Sequence, residues 1–545
     1  GLAVGIAVGV LFLKSGYSLG RAQRTPAVVG WIMPALMVGL LLLLVFRVQF
    51  VKDGPIFFST SGPGSQHAPI LISLAVGLTI GFLLFILFSN LWGLALPVAS
   101  AFWAAGLSVL AFGGLSAVIA PPGTARGLPR RPWLRQFLSE NWLSGLSFIL
   151  LFGLFTLFNH GLALFDDYSN LPLVSSLAAS GLPPYFFMDS QIVLDYHYGL
   201  HLFAASLVRI GGFFPWSAFD VTRSLTIVLT LLLGYSWFRH LTRQPMLIAA
   251  GVLLLCFGTG ARWLWLFAPP SLTQAASAHI QMWGSALESG PDFASALSQP
   301  WKIGGSGPFP FPFAFSNGIF RPLTLALGGN GAIPQLTVLL LLLTVSRLNE
   351  LLPAAERAGG TAAWRSPLLA SLTLGLLLAS LALVADHLLL MLWAGAAAVG
   401  TLLILKRLWH LLSRRRSAQL APPSVRAWST RGHLLTAACI WLPGLLLAPI
   451  MGGVISGMVR HGWTQLAPAA DLSDAATIGF TGSSLRWPPA IISAHLGELS
   501  LSNPLTLLAA LTEMGPVLFL ASAAAGYMTG QTLVVDGGWS LCLAT

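Results

Sequence analysis

The sequence predicts an all-α polytopic membrane protein of about 12–13 transmembrane helices with long outer-face loops. Hydrophobic residues fill 55% of the 545 positions, and only 8% are Asp, Glu, Lys or Arg. A soluble domain carries roughly 25% charged residues, so a water-facing surface of ordinary polarity cannot be built from this chain. The apolar residues also fall in runs of about 20, the length a helix needs to cross a bilayer. Alternating segments of the kind a β-barrel requires are not visible, which leaves a helical bundle.

In chain order, the apolar runs place spans at 2–13, 27–46, 68–91, 94–119, 142–163, 217–238, 245–268, 333–349, 366–385, 388–406, 432–456 and 502–526. The stretch 200–213 is apolar but short, and reads either as a thirteenth span or as a helix lying in the interface. The chain starts at Gly1 with no initiator Met and no charged n-region, so no signal peptide is expected. Three regions follow: N-terminal helices over 1–136, a transmembrane core over 137–456 with outer loops 164–199 and 269–332, and a last loop, helix and tail over 457–545.

A net charge of +11 would suggest nucleic acid in a soluble protein, but here the basic residues sit in short loops beside apolar runs and no nucleic acid is expected. Arg126, Arg130, Arg131 and Arg135 precede the span at 142–163, Arg239 and Arg243 follow that at 217–238, and seven more lie from Lys406 to Arg431. Placing all three clusters in the cytoplasm of a cell membrane is self-consistent only if 200–213 does not cross. Before residue 120 the competing Lys14, Arg21, Arg24, Arg47 and Lys52 leave the orientation open. Under this arrangement Asp166, Asp167, Asp189, Asp195, Glu288, Asp292, Asp386, Asp471, Asp474 and Glu498, ten of seventeen carboxylates, face outward with the long loops. Long polar loops on a rigid scaffold tend to carry function.

The most informative stretch is 159–201. A span ends, Asp166 and Asp167 follow at once, and Leu171, Val174, Leu177 and Ala178 mark an amphipathic helix that stops at Gly181-Leu182-Pro183-Pro184. Asp195-Tyr196-His197-Tyr198-Gly199 then leads into the next apolar segment. This arrangement resembles the first outer loop of GT-C membrane glycosyltransferases, and more narrowly the YYY-type membrane glycosyltransferases, whose tyrosine-rich Tyr-Gly motif occupies the place of Asp195–Gly199. His197 interrupts the tyrosine run, and the resemblance covers residues 142–240 well and the rest only as general architecture.

The resemblance implies sugar transfer from a polyprenyl-phosphate donor at the outer face, the partners being that lipid-linked sugar and membrane lipids. An acceptor hydroxyl needs a base, which Asp166 or Asp167 would supply. A phosphate leaving group needs a cation, either Lys302, Arg321, Arg460 or Arg486 or a divalent metal ion. Asp195, His197, Lys302, Arg321, Asp386 and His387 complete the expected substrate-binding set. The competing view of Asp166-Asp167 is a solvated marker at a helix end. Asp386-His387, between two closely spaced spans, reads either as functional or as a polar hairpin turn.

Other features are less specific. Glu513 sits in the last apolar run without a visible partner. His197 and His201 are four apart, but no mixed His/Cys cluster supports a metal or pigment site. Cys256, Cys439 and Cys542 read as apolar packers. Segment 304–318 alternates Phe with Pro, which suits an extended stretch lying on lipid or simple loop packing. Residues within 517–541 look like the end of a short-chain dehydrogenase, yet a Gly-rich nucleotide turn and a Tyr-x-x-x-Lys pair are both missing. The rival to an enzyme is a non-catalytic accessory subunit of a larger membrane complex, which 19 Trp suited to interfacial belts would fit. A transporter ranks third, because charges lining a midplane path are scarce.

Overall fold

Ile70 to Gly93 is a run of 24 residues without a charge, and it forms α1; Val98–Ile119, equally uncharged, forms α2. The four residues 94–97 return the chain, and Ser108 Oγ accepts from Trp92 Nε1 at 2.9 Å across the hairpin. The computed structural model describes residues 70–119, 146, 148–156, 159, 167–186, 189–194, 196–242, 244–258, 260–302, 311–317, 332–358, 362–413, 423–461, 490–493 and 495–514, and is mostly helical (79%).

Next come α3 (Asp167–Ala179), a short hairpin of β1 (Tyr185–Phe186) and β2 (Asp189–Val193), α4 (Gly199–Gly211), α5 (Pro215–Leu241) and α6 (Pro245–Phe257). The helices α7 (Pro270–Ser277), α8 (Ser285–Ser289) and α9 (Phe293–Ser298) are short. Long helices resume with α10 (Ala332–Ala358), α11 (Arg365–Val384), α12 (Asp386–Ser413) and α13 (Pro423–Leu447). The described chain closes with α14 (Gly453–His461), the hairpin β3 (Ala490–Ser493) to β4 (Gly497–Ser500), and α15 (Pro504–Met514).

Among the described residues five helices, α1, α2, α5, α10 and α11, are long and apolar enough to cross a membrane, so the chain is a multi-pass membrane protein. The 27 residues of α5 extend about 40 Å at 1.5 Å per residue. In contrast, the 13 residues of α4 extend only about 20 Å, short of the roughly 30 Å of hydrocarbon. It ends at Gly212 in the left-handed region (φ 67°), where the Gly212 N–H returns to the Val208 carbonyl and the Phe213 N–H to the Leu207 carbonyl, and turns directly into α5.

Several span boundaries differ from the sequence expectation. The run 245–268 is not one helix: α6 stops at Phe257, Gly260 takes φ 141°, and a 3-10 helix Arg262–Phe267 follows. The run 432–456 breaks at Leu447, and Gly452 (φ 97°) and Gly453 (φ 76°) redirect the chain into α14. Of 502–526, the described part is α15, only 11 residues long. Apolar composition extends through such breaks, and the positive-φ glycines redirect the chain a few residues beyond the last helical one.

The helix directions define two ends of the bundle. At the basal end lie Arg239 and His240 of α5, Arg357 of α10 and Arg365 of α11. Opposite, at the apical end, α1 and α11 finish and α12 begins. An apical unit forms from residues 260–302, 311–317, 490–493 and 495–514, its core continuous with that of the bundle. Trp283 N–H bonds His495 O at 2.9 Å, Ala261 N–H bonds Thr512 O at 2.6 Å, and Trp265, Phe293, Trp301, Phe311 and Phe313 fill its core. The described part of the Phe-Pro segment is thus packed inside protein: Phe311 and Phe313 do not lie on lipid.

Candidate functional site

The amphipathic helix expected after the acidic pair is α3, and its Leu173, Val174, Leu177 and Ala178 are buried. It packs on α4 and α5. Asp167 opens α3, three positions ahead of Asn170, and Asn170 is where the helix meets the next element: its Oδ1 accepts from His201 Nε2 of α4 at 2.6 Å. Burial first, then the neighbouring His197 and Arg223, push the His201 imidazole below its usual range, so it is neutral near pH 7.

The His201 ring stacks on Phe219 of α5 (centroids 5.2 Å apart, 17° between planes), and the Arg223 guanidinium lies 4.5 Å from the same ring. Arg223 Nη2 donates to Asp220 Oδ1 at 2.6 Å, one turn back on α5, with both side chains nearly inaccessible. Asn159 Nδ2 donates to Ser224 Oγ at 2.8 Å, and Ser224 Oγ donates to the Asp220 carbonyl at 2.7 Å. Side chains from α3, α4, α5 and position 159 thus form a buried polar floor. Charged groups at such depth are costly and are held by paired partners.

The segment Tyr196–His201 joins this floor to a second polar node. Tyr198 OH is 2.8 Å from Asn90 Oδ1 of α1 and 3.0 Å from Met451 O, and Asn90 Nδ2 donates to the same carbonyl at 2.6 Å. Gly452 and Gly453 follow Met451. A Cβ at Gly452 would run into the Tyr198 ring, and one at Gly453 into Ala382 O beside the Asp386 carboxylate. Gly199 in turn sits against Leu383 O. Asp386, 5% exposed, is in the first turn of α12, where a carboxylate suits the helix dipole.

The sequence-chosen positions therefore divide. The start of α3 with Asp167, the Tyr196–His201 segment and Asp386 converge at one apical region. His197 is partly buried there with Tyr196 stacked on it at 3.8 Å. Lys302 is exposed and belongs to the apical unit, where its N–H donates to Ser289 Oγ at 3.1 Å. Asp166, Asp195 and Arg321 lie outside the described residues, as do the side chains of Asp167 and His387 and all of 515–545 with the dehydrogenase-like tail. Among the described residues no three His, Cys, Asp or Glu side chains group as a metal site.

Sequence reasoning passed over Asp220 and Arg223, although two opposite charges three apart inside an apolar run were a readable signal. It also left Glu513 without a partner, and the structure supplies one: Arg262 forms a two-pronged pair with it, Nε to Oε1 at 2.5 Å and Nη2 to Oε2 at 2.6 Å. Comparison of the chain with protein-family models, with curated proteins and with solved structures gives no match.

Proposed function

We propose that this protein is a membrane glycosyltransferase of the GT-C type, moving a sugar from a polyprenyl-phosphate donor to an acceptor hydroxyl at the apical face. One observation carries the reading: the helix opened by Asp167, the Tyr196–His201 segment and buried Asp386 come together at the membrane end of the bundle. A lipid phosphate would present its scissile bond at that depth. In the reaction a carboxylate of the Asp166-Asp167 pair takes the acceptor proton. The new C–O bond forms at the anomeric carbon as its bond to the phosphate oxygen breaks, and the polyprenyl phosphate leaves. The floor of His201, Asn170, Asp220 and Arg223 fixes α3 beneath the reacting groups. A divalent metal ion would supply charge for the leaving phosphate; among the described residues no three His, Cys, Asp or Glu side chains group to hold one, and no step above is routed through it.

The test is transfer from a polyprenyl-phosphate sugar in proteoliposomes. Asp166→Asn and Asp167→Asn keep the shape and remove the charge, and loss of the base should cost about 10²–10⁴ in rate. Asp386→Asn should act more weakly. Full activity in both Asp166→Asn and Asp167→Asn would refute the assignment.

A further inference from the structure

We propose that the 3-10 helix Arg262–Phe267 and α15 form one lipid-facing surface, seated in the apolar layer of the bilayer that the spanning helices cross. The argument is independent of the glycosyltransferase reading. Leu507, Leu508 and Leu511 share one face of α15 and all are exposed, while Ala509, Ala510 and Glu513 point inward. On the 3-10 helix, Leu264 and Leu266 are exposed, and Phe267 keeps 78% of its surface open. The two elements are held together at Thr512, whose Oγ1 accepts from Trp265 Nε1 at 2.8 Å and whose carbonyl accepts from Ala261 N–H.

Charge is distributed in the reverse of a water-facing surface. From 258 to 287 the only ionisable side chains are Arg262 and His279, and from 501 to 514 only Glu513. Arg262 and Glu513 are both fully buried and face each other, so the charges turn inward and the leucines outward. A helix on a soluble protein does the opposite. Along the chain the 3-10 helix follows the uncharged apolar helix α6 after four residues. Trp263, edge-on to Phe267 at 6.2 Å, adds the aromatic type favoured at a bilayer interface. The occupant fitting this surface is acyl chain.

The protein in phosphatidylcholine proteoliposomes tests this directly. A phosphatidylcholine bearing a carbene-generating group on its acyl chain should label the peptides 262–274 and 504–514 of the unaltered protein, and not 285–299. Spin labels on Phe267→Cys and Leu508→Cys, with the three native cysteines replaced by Ala, should collide several-fold more with oxygen, relative to a water-soluble nickel chelate, than a label on Ser298→Cys. Nickel collisions equal to those at Ser298→Cys would show a water-facing surface. Low collision with both agents, together with no lipid labelling, would show that protein covers it. Either result overturns the proposal.

Discussion

Arg262 and Glu513, 251 residues apart in the chain, lie side-on with both carboxylate oxygens engaged and neither side chain exposed. Arg262 Nη1 also donates to Ser316 Oγ at 2.9 Å, and its guanidinium lies 4.2 Å from the Phe313 ring centre. Asn317 Nδ2 donates to the Glu513 carbonyl at 3.2 Å. One pair therefore ties together the 3-10 helix, the 311–317 segment and α15.

Removing one partner leaves the other charge buried. Glu513→Leu should destabilise the apical unit by about 3–5 kcal/mol, whereas Arg262→Met with Glu513→Leu should recover most of that loss. Protease resistance of the unit during denaturant titration reads both. A single variant as resistant as wild type would show that the pair adds nothing.

His495 gives the apical unit an acid limit. Its ring stands edge-on to Trp301 and Phe313, and burial, then the Arg262 charge, lowers its pKa to about 3 from 6.5. The unfolded chain therefore takes a proton as pH falls through 6.5, while the folded unit stays unprotonated until about 3. Stability is fully present above pH 6.5 and declines as pH falls between those values, by at most about tenfold in the folding equilibrium per pH unit. Tryptophan fluorescence of unfolding between pH 7 and pH 5, where carboxylates contribute least, should show this slope in wild type and lose it in His495→Gln.

The orientation is a third expectation. Ser298 is exposed in the apical unit and Arg357 is exposed at the basal end of α10. With basic loops cytoplasmic, a membrane-impermeant maleimide added outside whole cells should modify Ser298→Cys and spare Arg357→Cys. The reverse pattern would invert the faces and place the candidate site inside.

The five long apolar helices were legible because uncharged runs such as Ile70–Gly93 and Val98–Ile119 leave a helix nowhere else to go, while the expected spans 2–13 and 27–46 lie outside the described residues. Helix ends were not legible where a glycine turns the chain through positive φ, as at Gly260, Gly452 and Gly453. The helix from Asp167 was readable from the spacing of Leu171, Val174, Leu177 and Ala178. What holds it was not: Asn170 and His201 are 31 residues apart, and nothing local pairs them. Tyr198 stood in the quoted motif, yet its partners Asn90 and Met451 lie 108 and 253 residues away.

The Asn170–His201 bond yields the final prediction. Because Asn170 Oδ1 accepts, the hydrogen on His201 is at Nε2, inside a sealed contact between α3 and α4. Asn170→Ala strips that donor of its acceptor and should destabilise the α3–α4 packing by about 1–3 kcal/mol. Asn170→Asp keeps an acceptor oxygen and adds negative charge, which favours a protonated His201. Its imidazole should then titrate at higher pH than in wild type, readable by NMR of labelled histidine. Under the glycosyltransferase reading, Asn170→Ala should also slow transfer by shifting the start of α3, and Asn170→Asp should restore part of the rate above the new histidine pKa. Unchanged stability in Asn170→Ala and an unmoved His201 titration in Asn170→Asp would together show that this contact does not position the acidic helix.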